Sequence, residues 1–285
     1  MGKLYVVATP IGNLKDITCR AIEVLNDCDL IAAEDTRHAS ILLKHYNIKT
    51  RLVSYHKYNE EEISRMLISY MSEKDMDIAL ISNAGTPCIS DPGYRVVSEA
   101  RRRGLEVIPI PGPSAVMAAL SVSGVPINHF LFLGFLPKKE SQREQIIRDI
   151  KRKQIETVVI YESPKRIISL AELLAREMPS SNVCFFCELT KMFERAFTGR
   201  IEDVLERLKN DPKAKLGEYT VIIHYRSEEV VENTEITPEA LLIDTMLKEK
   251  TTLKEAVEIV SKKFNLPKNY VYKKALELKE YISEI

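Results

Sequence analysis

The sequence predicts an α/β protein, built as two α/β domains followed by a small helical module of helix-turn-helix type. Three observations predict it. Short β-branched runs alternate with amphipathic stretches up to about residue 135, a second alternation with a different pattern follows, and three helical patterns close the chain. The expected limits are 1–135 and 136–226 for the two α/β domains, 227–237 for a linker and 238–285 for the helical module. With 285 residues, 45% of them apolar, the chain has enough material for two cores.

In the first domain the strands are read at residues 4–8, 30–33, 78–81 and 105–110, and their alternation with helical segments predicts a mostly parallel sheet. Open sheets of this kind bind ligands beyond the carboxyl ends of their strands. Here those ends run into Gly, Pro, Asp or Ser, which makes residues 9–13, 34–37, 82–93 and 111–115 the loops to watch. In the second domain a charged helix (138–153) precedes a strand (157–161), a helix (164–177) and strands at 183–189 and 219–225. Residues 227–237 are polar, carry four glutamates and have little to bury, as a linker should. Beyond them, Thr237-Pro238 and Thr251 or Thr252 supply helix starts, and Leu266-Pro267 separates the second helix from the third. That module has nine lysines against eight acids, so its charge does not indicate DNA reading; a packing domain and an RNA-contacting one both remain open.

Whole-chain charge excludes little but discourages some readings. Forty-one basic residues balance 41 acidic ones, so no long-range positive field draws in a nucleic acid and any such contact needs a local patch. Residues 138–153 hold one, with seven bases against three acids, and Arg101-Arg-Arg103 is another; a solvated helix face reads the same way. Apolar runs such as 130–133 and 158–161 fall far short of the roughly 20 residues that span a bilayer, and the first ten residues lack the pattern of a secretion signal. Five cysteines at irregular spacings fit a reducing compartment, so a cytoplasmic protein without a membrane partner is expected. Cys184 and Cys187, the one C-x-x-C, lie in a strand where positions three apart face opposite ways, so no metal site is expected.

Several signatures are missing: there is no G-x-G-x-x-G, no Walker A lysine motif and no H-E-x-x-H. What remains are the loops. Residues 82–93 are rich in turn formers whose exposed backbone groups could read a small ligand, though a long strand-to-helix turn would look alike. Pro111-Gly-Pro-Ser-Ala115 is a rigid turn with Ser114 placed to cap a helix. Glu34-Asp-Thr-Arg37 sets two carboxylates and a guanidinium at one strand end, either as chemistry or as a helix cap with a surface ion pair. Tyr161-Glu-Ser-Pro-Lys-Arg166 and Glu188-Leu-Thr-Lys191 put acids and bases at two strand ends of the second domain.

Taken in order, these segments resemble the bacterial 16S ribosomal RNA (cytidine 2′-O)-methyltransferases of the tetrapyrrole-methylase fold. The resemblance covers about residues 3–225. It rests on Leu4-Tyr-Val-Val-Ala-Thr-Pro-Ile-Gly-Asn-Leu14 with Asp16-Ile-Thr18, Ala32-Ala-Glu-Asp-Thr-Arg-His38, Ala84-Gly-Thr-Pro87 with Ser90-Asp-Pro-Gly-Tyr94, and Pro111-Gly-Pro-Ser-Ala115. Gly134-Phe-Leu-Pro137, Tyr161-Glu-Ser-Pro164 and Glu188-Leu-Thr-Lys191 extend it. The chain departs from the pattern at Asn83, where Asp often precedes Ala-Gly-Thr-Pro.

The resemblance implies two α/β domains of the tetrapyrrole-methylase type with S-adenosylmethionine, the methyl donor, between them. Its pocket would be lined by Ala84, Gly85, Thr86 and Ile89, by Ser114 and Ala115, and by Tyr161 and Leu189. It implies 16S rRNA in the small ribosomal subunit as the partner, a cytidine ribose in the decoding region as the acceptor, and a homodimer. A ribose hydroxyl is a poor acid, so a nearby carboxylate or a lysine-tuned base should help remove its proton. Glu34, Asp35 and Glu162 are the candidates, with Arg37 and Lys191 expected to hold substrate oxygens. The other readings are a methyltransferase for porphyrin or corrin precursors and a non-catalytic nucleic-acid binder.

Overall fold

Buried parallel strands need apolar side chains on both faces, and four of the β-branched runs supply them. In the computed structural model, which describes residues 1–225, 237–264 and 266–283, with side chains through 279, they pair with a short fifth strand. The strands are β1 (Leu4–Val7), β2 (Leu30–Ala33), β3 (Leu52–Ser54), β4 (Ile78–Ile81) and β5 (Val107–Ile110), in the order β3-β2-β4-β1-β5 with every pairing parallel. The connections are α1 (Cys19–Asp27), α2 (Thr36–His45), α3 (Glu60–Glu73) and α4 (Tyr94–Arg102). Period-two alternation splits the core: Val7, Ile31, Ala79 and Ile81 meet Leu25, Leu42 and Leu43 of α1 and α2 on one face. Leu4, Leu30, Ile78 and Leu80 meet Leu67, Met71 and Val96 of α3 and α4 on the other. Polar residues closing the loops start the next helices. Thr18 accepts the Ala21 N–H and Asp35 that of Arg37, so two of these loops end in a fixed geometry.

A second sheet follows α5 (Ala115–Val122), the helix that leaves β5. It contains β6 (Leu131–Phe135), β7 (Thr157–Glu162), β8 (Asn182–Cys187), β9 (Arg195–Arg200) and β10 (Tyr219–His224) in the order β6-β7-β10-β8-β9. Only the β6–β7 pairing is parallel. One face is covered by α6 (Glu140–Arg152), α7 (Ile167–Glu177) and α8 (Ile201–Asn210), through Ile147, Leu170, Leu174 and Val204. Against the opposite face lie Val116, Ala119 and Leu120 of α5, packed on Val159, Cys184, Phe186 and Ile222. Cys184 and Cys187 therefore sit in different layers, on the two faces of β8.

Three strands go beyond the sequence reading. The three-residue β3 is too short to show a period. β6 is interrupted by a bulge at Gly134, and β9 is an edge strand with exposed Ala196, Thr198, Gly199 and Arg200 that offers no apolar run. The expected limit at residue 135 falls at the end of β6, which pairs into the second sheet.

The chain divides into two compact units, residues 1–226 and 227–285, and both sheets belong to the first. In the second unit α9 (Pro238–Glu249), α10 (Leu253–Lys263) and α11 (Lys268–Ser283) bury Leu242, Val257, Val260 and Val271. Thr237 caps α9, and Thr252 with Glu255 forms a reciprocal capping box on α10. Apart from Thr237, the expected linker lies outside the described residues. Among the described residues no helix is long and apolar enough to cross a membrane.

Ile222 is fully buried where α5 meets the second sheet. Ile222→Ala is expected to cost about 2–5 kcal/mol, because the removed carbons leave a cavity between two rigid layers. Urea denaturation would register this as a lower midpoint with an unchanged slope.

Candidate active site

The loops beyond β1, β4 and β5 are tied into one wall. Thr9 and Gly85 exchange backbone hydrogen bonds, with Thr9 N–H donating to the Gly85 carbonyl at 2.9 Å and Gly85 N–H to that of Thr9 at 3.0 Å. The Thr9 hydroxyl donates to the Ser82 carbonyl at 3.2 Å, and the Thr86 hydroxyl to the Pro113 carbonyl at 3.4 Å. Gly85 sits at φ +79°, where a side chain is strained, and a Cβ there would stand 3.4 Å from Ile11 and 3.7 Å from the Pro113 carbonyl oxygen.

A second wall comes from the other sheet. Asn13 N–H donates to the Thr190 hydroxyl at 3.2 Å. Gly12 packs so closely that a Cβ would collide with the Lys191 side chain and lie 3.1 Å from the Leu189 carbonyl oxygen. The strand-end turn after β8 is held in an unusual form, with Glu188 at φ 57° and Thr190 at φ 65°.

Between these walls lies a cavity of about 430 Å³, within the range of small-molecule sites. Ala84, Gly85, Thr86, Ile89, Ser114 and Ala115 line it from the first sheet, and Tyr161 and Leu189 from the second. Glu34 and Glu162 also line it. Asp35, Arg37 and Lys191 are not among the lining residues. Asp35 caps α2 by accepting the Arg37 N–H at 2.9 Å, and the Arg37 guanidinium pairs with it at 3.1 Å. This pairing holds the Asp35 carboxyl at about 2, below the usual carboxylate range. Lys191 bridges Glu188 at 2.9 Å and Glu218 at 2.8 Å, bracing the wall from behind.

The lining contains a residue that sequence reading did not single out. Asp91, read as part of an Asp-Pro-Gly turn, lines the cavity along with Glu34. Burial, and then the charge of Glu34, push its pKa up to about 6. Tyr161, from the other sheet, is pushed up to about 12 by burial and by the charge of Asp91. Glu34, Asp91, Glu162, Glu188 and Glu218 all line the cavity, and among the described residues no lysine, arginine or histidine does.

Glu162 has one oxygen committed and one free. Its Oε1 accepts from Arg166 at 2.6 Å and from the Ser163 N–H at 2.7 Å, while the buried Oε2 has no hydrogen-bond partner among the described residues. A buried carboxylate oxygen left open in this way suits a ligand N–H or O–H. An acidic, largely apolar cavity walled by backbone turns and Tyr161 fits a cationic, partly aromatic ligand such as S-adenosylmethionine.

The model of the family described as Tetrapyrrole (Corrin/Porphyrin) Methylases matches residues 3–205. The chain is 40% identical to the "Ribosomal RNA small subunit methyltransferase I" of Escherichia coli O157:H7, over 97% of this chain and 95% of the relative. It is 41% identical to the protein of the same name from Vibrio cholerae serotype O1, over 96% of this chain and 94% of the relative. Among solved structures, the uroporphyrin-III C-methyl transferase of Thermus thermophilus complexed with S-adenyl homocysteine aligns with a TM-score of 0.52. That alignment covers 78% of this chain and 97% of the other at 20% identity, a likeness of fold.

Carboxyl NMR on the labelled protein should show Asp91 titrating near pH 6, and Glu34→Gln should move that midpoint down because one negative neighbour is gone. An unmoved midpoint would mean that the two carboxylates do not sense each other.

Proposed function

The chain belongs to the tetrapyrrole (corrin/porphyrin) methylase family, and from that premise we propose that it methylates ribosomal RNA of the small subunit, with S-adenosylmethionine as donor and a cytidine 2′-hydroxyl in the decoding region of 16S rRNA as acceptor. The RNA class is supported by the names of relatives that align over nearly the whole chain. The observation that carries the donor is the cavity between the two sheets, whose lining among the described residues holds five carboxylates and no basic side chain; Arg166 pairs with Glu162 and Lys191 with Glu188 and Glu218, which leaves Glu34 and Asp91 as the lining acids without an ion pair among the described residues. Such a lining favours a cation and disfavours a phosphate.

When bound, the donor supplies a methyl group on a positively charged sulfur, which keeps the bonding electron pair as a neutral thioether once the methyl has gone to the acceptor oxygen. The residues around it have three tasks. Backbone groups of Ala84, Gly85 and Thr86, fixed by the Thr9 bridge, hold the polar edges, and Ile89, Ala115, Tyr161 and Leu189 cover the apolar surface. Ser114 and the free oxygen of Glu162 take up hydrogen-bond donors. Asp91, its proton affinity raised by burial and by the like charge of Glu34, accepts the proton of the ribose hydroxyl as the oxygen bonds to the methyl carbon. Asp35 acts from outside as the cap that fixes the end of β2, where Glu34 follows the strand. Holding oxygen and methyl in line provides much of the rate in a displacement of this type. The reading also includes a cytoplasmic homodimer.

The test is transfer of labelled methyl from S-adenosylmethionine to unmodified small subunits, followed by nucleoside analysis. Label in 2′-O-methylcytidine is expected; label entering a porphyrin precursor and not RNA would overturn the acceptor. Asp91→Asn should lower kcat by roughly 10²- to 10⁴-fold while donor affinity, read by calorimetry, falls far less. Because the charged form of Asp91 is the active one, kcat should rise about tenfold per pH unit below 6 and level off above it.

A further inference from the structure

A second hollow, of about 400 Å³, opens beside the first and is lined by Ile89, Ser90, Phe132, Leu133, Gly134 and Phe135. Ile89, Ser90 and Phe135 line both, so the two spaces share a wall. Ile89 and Phe135 are 56% and 61% exposed, unusual for large apolar side chains at the mouth of a site. The backbone explains why Phe135 is there. Residues three apart in a strand face opposite ways, but the bulge in β6 inserts one residue, so that Phe132 pairs with Val159 and Phe135 with Tyr161. Both rings then meet Tyr161, with centroids 5.1 Å and 5.5 Å away, while Gly134 at φ +61° turns the chain. The Ser90 hydroxyl lies next to Gly134 and makes no hydrogen bond among the described residues.

Positive charge stands close in sequence and is tied close in space. Lys138 and Lys139 follow Phe135 directly after Leu136 and Pro137, and Lys165 sits in the turn after β7. Arg166 of that turn donates to the carbonyls of Leu136 and Pro137 at 3.3 and 3.2 Å, binding the two segments together. Lys138, Lys139 and Lys165 are exposed and form no ion pair among the described residues, whereas Arg148, Arg152, Arg166 and Arg176 all do. On α6 Arg143 is 7% exposed and its Nε has no hydrogen-bond partner among the described residues.

We propose that the second hollow is the subsite for the acceptor nucleotide, whose base stacks on Phe135 while its flanking phosphates rest on Lys138, Lys139 and Lys165. This rests on RNA being the acceptor. A base turned out of its stack presents one flat face and one polar edge; Phe135 meets the face and Ser90 the edge. The ribose between base and phosphate is thereby brought to the wall shared with the acidic cavity, while the phosphates stay outside among unpaired lysines.

The experiment compares wild type, Phe135→Ala, Phe135→Tyr and the double variant Lys138→Ala/Lys139→Ala, measuring methylation of small subunits and, separately, donor affinity. Phe135→Ala should lower kcat/KM for the subunit roughly 10- to 100-fold, far more than it lowers donor affinity through the wall shared with the first cavity, and Phe135→Tyr, which keeps the stacking face, should recover most of it. The double lysine variant should flatten the salt dependence of subunit binding by about one in log–log slope per lysine. Wild-type kcat/KM in Phe135→Ala, or an equal loss of donor affinity, overturns the subsite. A wild-type enzyme that methylates no RNA overturns the acceptor reading and the subsite with it.

Discussion

Two backbone hydrogen bonds, between Thr9 and Gly85, turn a set of loops into a binding wall. Loops beyond parallel strands have no ladder of their own, and a twelve-residue turn such as 82–93 would sample many shapes if it were anchored only at its ends. The bridge is an isolated antiparallel pair beyond the parallel β1–β4 pairing that ties the two loops to each other, and the Thr9 hydroxyl adds a bond to the Ser82 carbonyl. This arrangement demands a residue able to hold φ +79°, so the glycine of Ala84-Gly-Thr-Pro87 is a backbone requirement before it is a ligand contact.

Coupling of the two sheets is apolar first and polar second. α5 leaves the first sheet and spends its buried side chains, Val116, Ala119 and Leu120, on the second. That packing sets the distance between the walls, and the approach of Gly12 to the turn after β8 sets their register. The carboxylates of the cavity are thus held apart by a scaffold whose stability comes from elsewhere. A destabilised, partly charged cluster can persist there because the surrounding layers over-determine it.

How much of this the sequence discloses depends on whether the cause is local. β1, β2, β4 and β5 were legible because each is a short apolar run bounded by turn residues. β6 was not, since its register depends on a bulge, and β9 was not, since an edge strand needs little apolar surface. The basic stretches misled in another way. Arg102 and Arg103 are both engaged by Glu99, and Arg148 and Arg176 by Glu177, so much of the charge visible in the sequence is neutralised locally. Asp91 escaped notice because its perturbation comes first from burial and then from the charge of Glu34, 57 positions away in sequence, and both causes exist only after folding. Motif order located the cavity; only the fold could show which of its carboxylates interact.

The distribution of charge then separates two tasks that a single basic cleft would confuse. Of the lining carboxylates, Glu34 and Asp91 have no ion pair among the described residues, so an RNA backbone drawn in beside them would pay a desolvation and repulsion cost that a cation would not. Unpaired lysines lie instead on the segments that lead away from Phe135 and Tyr161. Under the proposed reading only an uncharged hydroxyl needs to cross from one region to the other, and it meets Asp91, whose carboxyl burial and the charge of Glu34 push up to about 6. Loss of the methyl removes the positive charge that the acidic lining favours, so the same electrostatics that hold the donor weaken on the product. The chain's overall neutrality discourages an RNA reading from composition alone, but a net charge does not report how acids and bases are divided between a pocket and its rim.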